Sequence, residues 1–245
     1  MNITTQITTR NESYIVGQTI RPIGIMLHSV GVPQPSAEVF AGIFNNHRPN
    51  GRQVSVHAFI DDRRIIQTLP WDARAWHSGG AANNTHIGIE LTEPSTIRYT
   101  QGSSFTDNNR QATTDFVRRT YENAIDLCVY LCRRFNLNPI GQGVIISHSI
   151  GHQMGIASNH GDVEHLWNHV GLSVVQFRLE VQRRMQNNQT QNSVYEQEDL
   201  SLPSPWAQQA WALATQRQII DGQRPRDNLT RQELITILHR MGLIT

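Results

Sequence analysis

Lysine is absent from the chain: the 21 basic residues among its 245 are all arginine. That excludes a Schiff-base lysine or any other lysine nucleophile. Cysteine is almost absent too. The two present, Cys128 and Cys132, lie one turn apart in a helical pattern, which disfavours a disulfide between them and makes them core residues. Net charge is nearly balanced, +1 with histidine neutral, so bulk electrostatics give no basis for a nucleic-acid or membrane partner. No stretch approaches the length and apolarity of a transmembrane helix. The first residues, MNITTQITTRNESY, lack a positive start followed by an apolar core, so no signal peptide is expected. Synthesis in the cytoplasm follows, with any export by another route. A hydrophobic content of 38% with 17% charged residues is otherwise that of a soluble globular protein.

Histidine, in contrast, is concentrated. The stretch ISHSIGHQMGIASNHGDVEH, ending at His165, holds His148, His152, His160 and His165, with His169 just beyond. Val144, Ile145 and Ile146 run into His148 as a buried strand would, and the residues after it are punctuated by glycine and serine like a returning loop. For any one of these histidines alone, an ordinary loop or surface position is the simpler reading. Their crowding points to a site without identifying ligands. Imidazole and carboxylate are the usual zinc ligands besides thiolate, and a catalytic zinc takes three of them plus a water.

The rest of the chain supplies strands and helices in alternation. Ile23 to Leu27 is a short apolar run ending at His28. Ser36 is positioned to cap a helix through about Asn46, with Val39, Phe40 and Ile43 facing inward. Val54 to Ile60 alternates, turns at Asp61–Arg64 and resumes at Ile65–Leu69, a hairpin signal. In Ile87–Leu91, Gly88 and Glu90 share one face while Ile87, Ile89 and Leu91 share the other, so Glu90 points away from the apolar side. Thr114 to Phe135 has the three- and four-residue spacing of a long amphipathic helix, and Ser173 to Met185 that of another. A mixed α/β sheet flanked by helices is the expected fold. Polar, amide-rich residues 187–203 read as a linker between a domain of residues 1–186 and a helical module of residues 204–245. In that module Pro205 opens one helix, Ile219–Gly222 makes a turn, and the capping box Thr230–Glu233 opens a second helix with Leu234, Ile237, Leu238 and Met241 inside. Such a unit is marginal alone and either docks or self-associates.

These pieces meet in one hypothesis. His28, His148 and an acid after Asn159 are candidates for a three-ligand zinc site at the ends of neighbouring strands, with Glu90 facing the same opening. At this point the sequence resembles the zinc-dependent N-acetylmuramoyl-L-alanine amidases, whose fold is shared by phage lysins and peptidoglycan-recognition proteins. The resemblance rests on IMLHS around His28, VSVHAFIDD, AWHSGG, NNTHIGIEL around Glu90, and ISHSIGH with IASNHGDVEH, over about residues 20 to 170. It implies Zn2+ held by His28, His148 and Asp162, with His160 the rival for the third place. It further implies Glu90 as the general base and His160 as the donor to the oxyanion. This chain has Ile150 where many relatives carry an acid, and Val56 where some carry a tyrosine.

The implied activity is cleavage of the amide between N-acetylmuramic acid and L-alanine of the peptidoglycan stem, in a phage or prophage endolysin that acts on the wall after release. The alternative is a noncatalytic peptidoglycan-binding protein. The C-terminal residues, about 203 to 242, are similar to a single surface-layer-homology motif, which implies anchoring to a wall glycopolymer. Against that stands a packing or homodimerisation module.

Overall fold

Short segments rich in isoleucine pair because their alternate side chains find apolar cover on both faces of one sheet. The computed structural model describes residues 2–196, 203, 207–221 and 231–244. The chain divides into two units, Met1–Gln186 and Asn187–Thr245. The elements are β1 (Ile3–Thr5), α1 (Glu12–Val16), β2 (Gly24–Ser29), α2 (Ala37–Phe44), β3 (Ala58–Ile60), β4 (Ile65–Gln67), β5 (His86–Leu91), β6 (Ile97–Gln101) and β7 (Ser104–Asp107). They continue with α3 (Arg110–Arg134), β8 (Ile145–Ser147), α4 (His148–Gln153), α5 (Glu164–His169), α6 (Val174–Glu196), α7 (Gln208–Gln216) and α8 (Arg231–Arg240).

Six strands form the central sheet in the order β1-β4-β3-β5-β2-β8, and β6 with β7 makes a separate hairpin. Within the central sheet β3 and β4 are antiparallel, and the other four pairings are parallel. The architecture is thus the mixed α/β sheet with flanking helices that the sequence implies.

Side-chain parity divides the sheet into two faces with different work. Ile25 and Leu27 of β2, Ala58 and Ile60 of β3, Ile87, Ile89 and Leu91 of β5, and Ile145 of β8 all enter one core. That core is completed by Val117, Tyr121, Ile125 and Cys128 of α3 and by Phe177 and Val181 of α6. Both cysteines are buried there as free thiols. Trp167 stacks on Phe177 with ring centroids 5.2 Å apart, and Tyr121 meets both rings edge-on. The opposite face carries two smaller clusters. Phe40 of α2 stacks on Phe59 of β3, whereas Met26 and Ile146 pack with Ile150 of α4. Between those clusters the sheet is left open, and there β2 and β5 present His28 and Glu90.

Some boundaries and faces differ from the sequence reading. Helix α3 starts at Arg110, because the Asn109 side chain accepts from the Ala112 amide and caps four residues earlier than the apolar period begins. Ser36 caps α2 as expected, yet Val39 is 43% exposed, and Ala37, Phe40 and Ala41 form the buried stripe. His148 does not enter a loop; it is the first residue of α4, with Ser147 Oγ accepting from the Ile150 amide. Helix α6 continues to Glu196 through residues expected to be linker. No glycine or proline interrupts Gln186–Glu196, so low apolar content alone does not end the helix.

In the second unit, described by itself, Leu234 and Met241 are exposed rather than inside, and α7 has no buried residue. The two short helices α7 and α8, taken alone, offer too little surface to enclose a core. Pro205, Gly222 and Thr230, on which the expected turn and cap depend, lie outside the described residues. No helix among the described residues is long and apolar enough to cross a membrane.

Candidate metal centre and active-site cleft

The open strip lies over the carboxyl ends of the parallel strands, where α/β sheets place their sites. His28 stands next to last in β2 and pairs in register with Glu90 of β5, while Leu27 pairs with Ser147, the residue before His148. Adjacent strands therefore deliver three functional side chains to one place. Asp162 comes from the loop before α5, and its Oδ2 accepts from the Ser29 amide at 3.2 Å.

Three atoms converge there. His28 Nδ1 and His148 Nδ1 are 2.9 Å apart, and Asp162 Oδ2 is 3.6 Å from the first and 3.9 Å from the second. Ligand atoms at the corners of a zinc tetrahedron, each about 2.0–2.1 Å from the ion, lie about 3.3 Å from one another. The observed separations bracket that value. The donor set fits as well, because each imidazole uses its other nitrogen elsewhere. His28 Nε2 lies 2.8 Å from His77 Nδ1, and His148 Nε2 is 3.1 Å from Ser158 Oγ. Ser158 Oγ is itself 3.1 Å from the Ser78 carbonyl, to which it donates, so it accepts from His148. Two lone pairs and a carboxylate oxygen thus face one point, an arrangement suited to a cation.

Burial would push the Asp162 carboxyl up, but the neighbouring imidazoles, His28 first and then His148, hold it down at about 2. Burial, reinforced by His28, pushes His148 down to about 4. The group next to them moves the other way. Burial first, then Asp162 and Glu93, raises Glu90 well above the usual carboxylate range, and its Oε2 is buried without a hydrogen-bond partner. His160, the rival for the third ligand place, is exposed. Its Nδ1 lies 3.3 Å from His148 Nε2, the ring nitrogen turned away from the three-atom cluster. Asp162, not His160, joins His28 and His148 in the geometric cluster among the described residues.

A cleft of about 1010 Å³ opens on this cluster and reaches the aromatic residues Phe40, Phe44 and Phe59 beside α2. Glu90 and His160 line it as well. The other histidines of the crowded segment scatter. His152 is exposed, His165 sits in the cleft wall with Tyr99, and His169 pairs with Asp107 at 2.8 Å.

The sequence reading missed several polar residues around the centre. His77 enters the sequence reading only within the AWHSGG motif, with no role of its own, although it touches His28. His57 is fully buried: its Nδ1 accepts from the Gly88 amide and its Nε2 donates to the Ala73 carbonyl. Glu93, also fully buried, accepts from Tyr99 and from the Gly31 amide. A histidine next to glycine pairs, as in WHSGG, was the available signal for His77, but no periodicity marks a loop residue.

Fold and site together define an α/β protein with a histidine-lined cleft over the ends of parallel strands. Residues 18–164 match the family N-acetylmuramoyl-L-alanine amidase, and the chain belongs to that family. It is 28% identical over 134 residues to Protein Ami of Listeria monocytogenes, a match covering 52% of this chain and 12% of that protein. It is 32% identical over 71 residues to the bifunctional autolysin of Staphylococcus aureus, covering 29% of this chain and 5% of the autolysin. In fold it resembles the crystal structure of Staphylococcus aureus hydrolase AmiA in complex with its ligand. That likeness has a TM-score of 0.58 at 20% identity and covers 76% of this chain and 83% of that one.

Proposed function

We propose that the chain is a zinc-dependent peptidoglycan amidase that cuts between N-acetylmuramic acid and the L-alanine of the stem peptide. The observation that carries the reading is the convergence of His28 Nδ1, His148 Nδ1 and Asp162 Oδ2 beside a half-buried glutamate whose buried Oε2 has no partner. A zinc ion held by these three would lower the pKa of a bound water to about 7 and polarise the scissile carbonyl. Glu90 takes the proton from the attacking water on its unpartnered Oε2 and passes it to the departing alanine amine. Its raised proton affinity suits the second transfer, because the carboxyl must hold the proton before releasing it. His160, on the cleft lining, donates to the oxyanion that develops on the carbonyl oxygen. The apolar reach toward Phe40 and Phe59 receives the uncharged part of the stem or glycan, with water excluded.

Release of free alanine amines from purified walls, lost on chelation and restored by zinc, tests this reading. A noncatalytic recognition protein would bind the walls and release none. Phage or prophage origin, action after release from the cytoplasm, and wall anchoring or homodimerisation through residues 204–245 belong to the same proposal. The tail's likeness to a surface-layer-homology motif supports the anchoring.

A further inference from the structure

We infer that His77 is a positioning residue that fixes the ring of His28 and so the direction from which His28 Nδ1 meets a metal ion; this rests on the metal reading above. A carbonyl oxygen only accepts, so the His86 carbonyl 3.1 Å from His77 Nε2 assigns the proton to that nitrogen. The neutral ring then has its acceptor at Nδ1, and His28 Nε2, 2.8 Å away, donates to it. His28 is left with its lone pair on Nδ1, the atom that faces His148 and Asp162. Partners of this outer kind set the tautomer and ring orientation of a ligand histidine.

The sheet builds the seat for the His77 ring. A Cβ at Gly88 would lie 2.4 Å from His77 Cγ and 2.8 Å from its Nδ1, so no side chain fits there unless the ring moves. Gly88 is in turn held by His57 through both backbone groups. Its amide donates to His57 Nδ1 at 3.0 Å, and its carbonyl accepts from the His57 amide at 2.9 Å. On the loop side, the amides of His77 and Ser78 donate to Asn83 Oδ1 at 2.9 and 2.8 Å. A chain of fixed contacts therefore runs from His57 on the hairpin segment, through the bare Cα of Gly88 and the His77 ring, to His28. None of His57, Gly88 and His77 belongs to the ligand set.

The test compares zinc dissociation constants of the full chain, measured by competition with a chromophoric chelator. The variants are His77→Phe, which keeps a flat ring but no acceptor, and His77→Gln, which keeps an acceptor oxygen. Metal-free melting temperatures and the visible absorption of the cobalt(II) form are recorded alongside. His77→Phe is expected to weaken zinc binding about 10- to 100-fold and to shift the cobalt spectrum. His77→Gln should recover most of the affinity even where its melting temperature falls as far. Should His77→Phe fail to fold, Gly88→Ala provides a second approach, since it leaves His77 in place but displaces its ring; weaker zinc binding is again expected. Wild-type affinity in His77→Phe or Gly88→Ala, or equal losses in Phe and Gln variants that fold, would overturn the inference. A wild-type chain that takes up no zinc would overturn the metal reading itself.

Discussion

Replacing Glu90 by glutamine isolates the proton step from the metal and from the fold. Glu90 pairs in register with His28 and with Phe59, yet it lies outside the His28–His148–Asp162 cluster. Its Oε2 has no partner to lose. The amide has nearly the same shape and cannot accept a proton, so zinc content is expected to stay while turnover falls. A general base contributes roughly 10²- to 10⁴-fold, which is about 3 to 5 kcal/mol of barrier at about 1.4 kcal/mol per tenfold. Stability should not fall with it. A half-buried carboxyl crowded by Asp162 and Glu93 is being replaced by a group that cannot ionise, so the melting temperature stays or rises. Amine release from purified walls, zinc analysis and thermal melting on one sample give all three readings. Turnover near wild type in a zinc-loaded variant would refute the reasoning, and His160 would be the first alternative base. Zinc lost together with turnover would place Glu90 in the metal's own coordination sphere.

Asp162→Ala should lower zinc occupancy sharply, whereas His160→Ala should keep zinc and lose rate; metal analysis of both decides, and the opposite pattern sinks the assignment. The pH dependence of stability should carry a signature of His57, which burial pushes down to about 4. Between pH 4 and the unfolded value near 6.5 the unfolded chain binds the extra proton, so stability is complete above that window and is lost as pH falls through it. Roughly 3 kcal/mol is at stake. Urea unfolding of metal-free wild type and His57→Gln at pH 7 and 4.5 measures it, and equal acid losses in both would contradict the reasoning. A chain ending at Gln186 should fold and hydrolyse soluble muropeptide but sediment less with intact walls; equal sedimentation would remove the anchoring role, and light scattering would then test self-association.

The parts of the site that were legible are those on regular elements. Alternation in Ile87–Leu91 placed Glu90 opposite the core, and apolar runs marked the strands that lead to His28 and His148, because burial on one face imposes a period of two. For the third ligand the residues point only to an acid after Asn159, and family resemblance selects Asp162, since nothing periodic marks a loop. His77 was overlooked for the same reason: its partner His28 lies 49 positions away. Strand β1 escaped notice because it is three residues long and pairs with β4, roughly sixty positions on, at Ile3–Ile65. In the tail the expected helical period is present, but Leu234 and Met241, expected inside, are exposed among the described residues.

The alternation along β2 and β5 also governs how this protein tolerates insertions and deletions. In β5, Ile87, Ile89 and Leu91 face the core while Gly88 faces the His77 ring and Glu90 the cleft, and β2 repeats the scheme with Leu27 and His28. Substitutions can therefore vary one face with little effect on the other. Losing a single residue ahead of Gly88 has no such insulation, because it would exchange the two faces at once, driving Glu90 inward and an isoleucine into the cleft. Length variation among working descendants of this chain should be confined to loops away from the cleft, with both strands fixed in length.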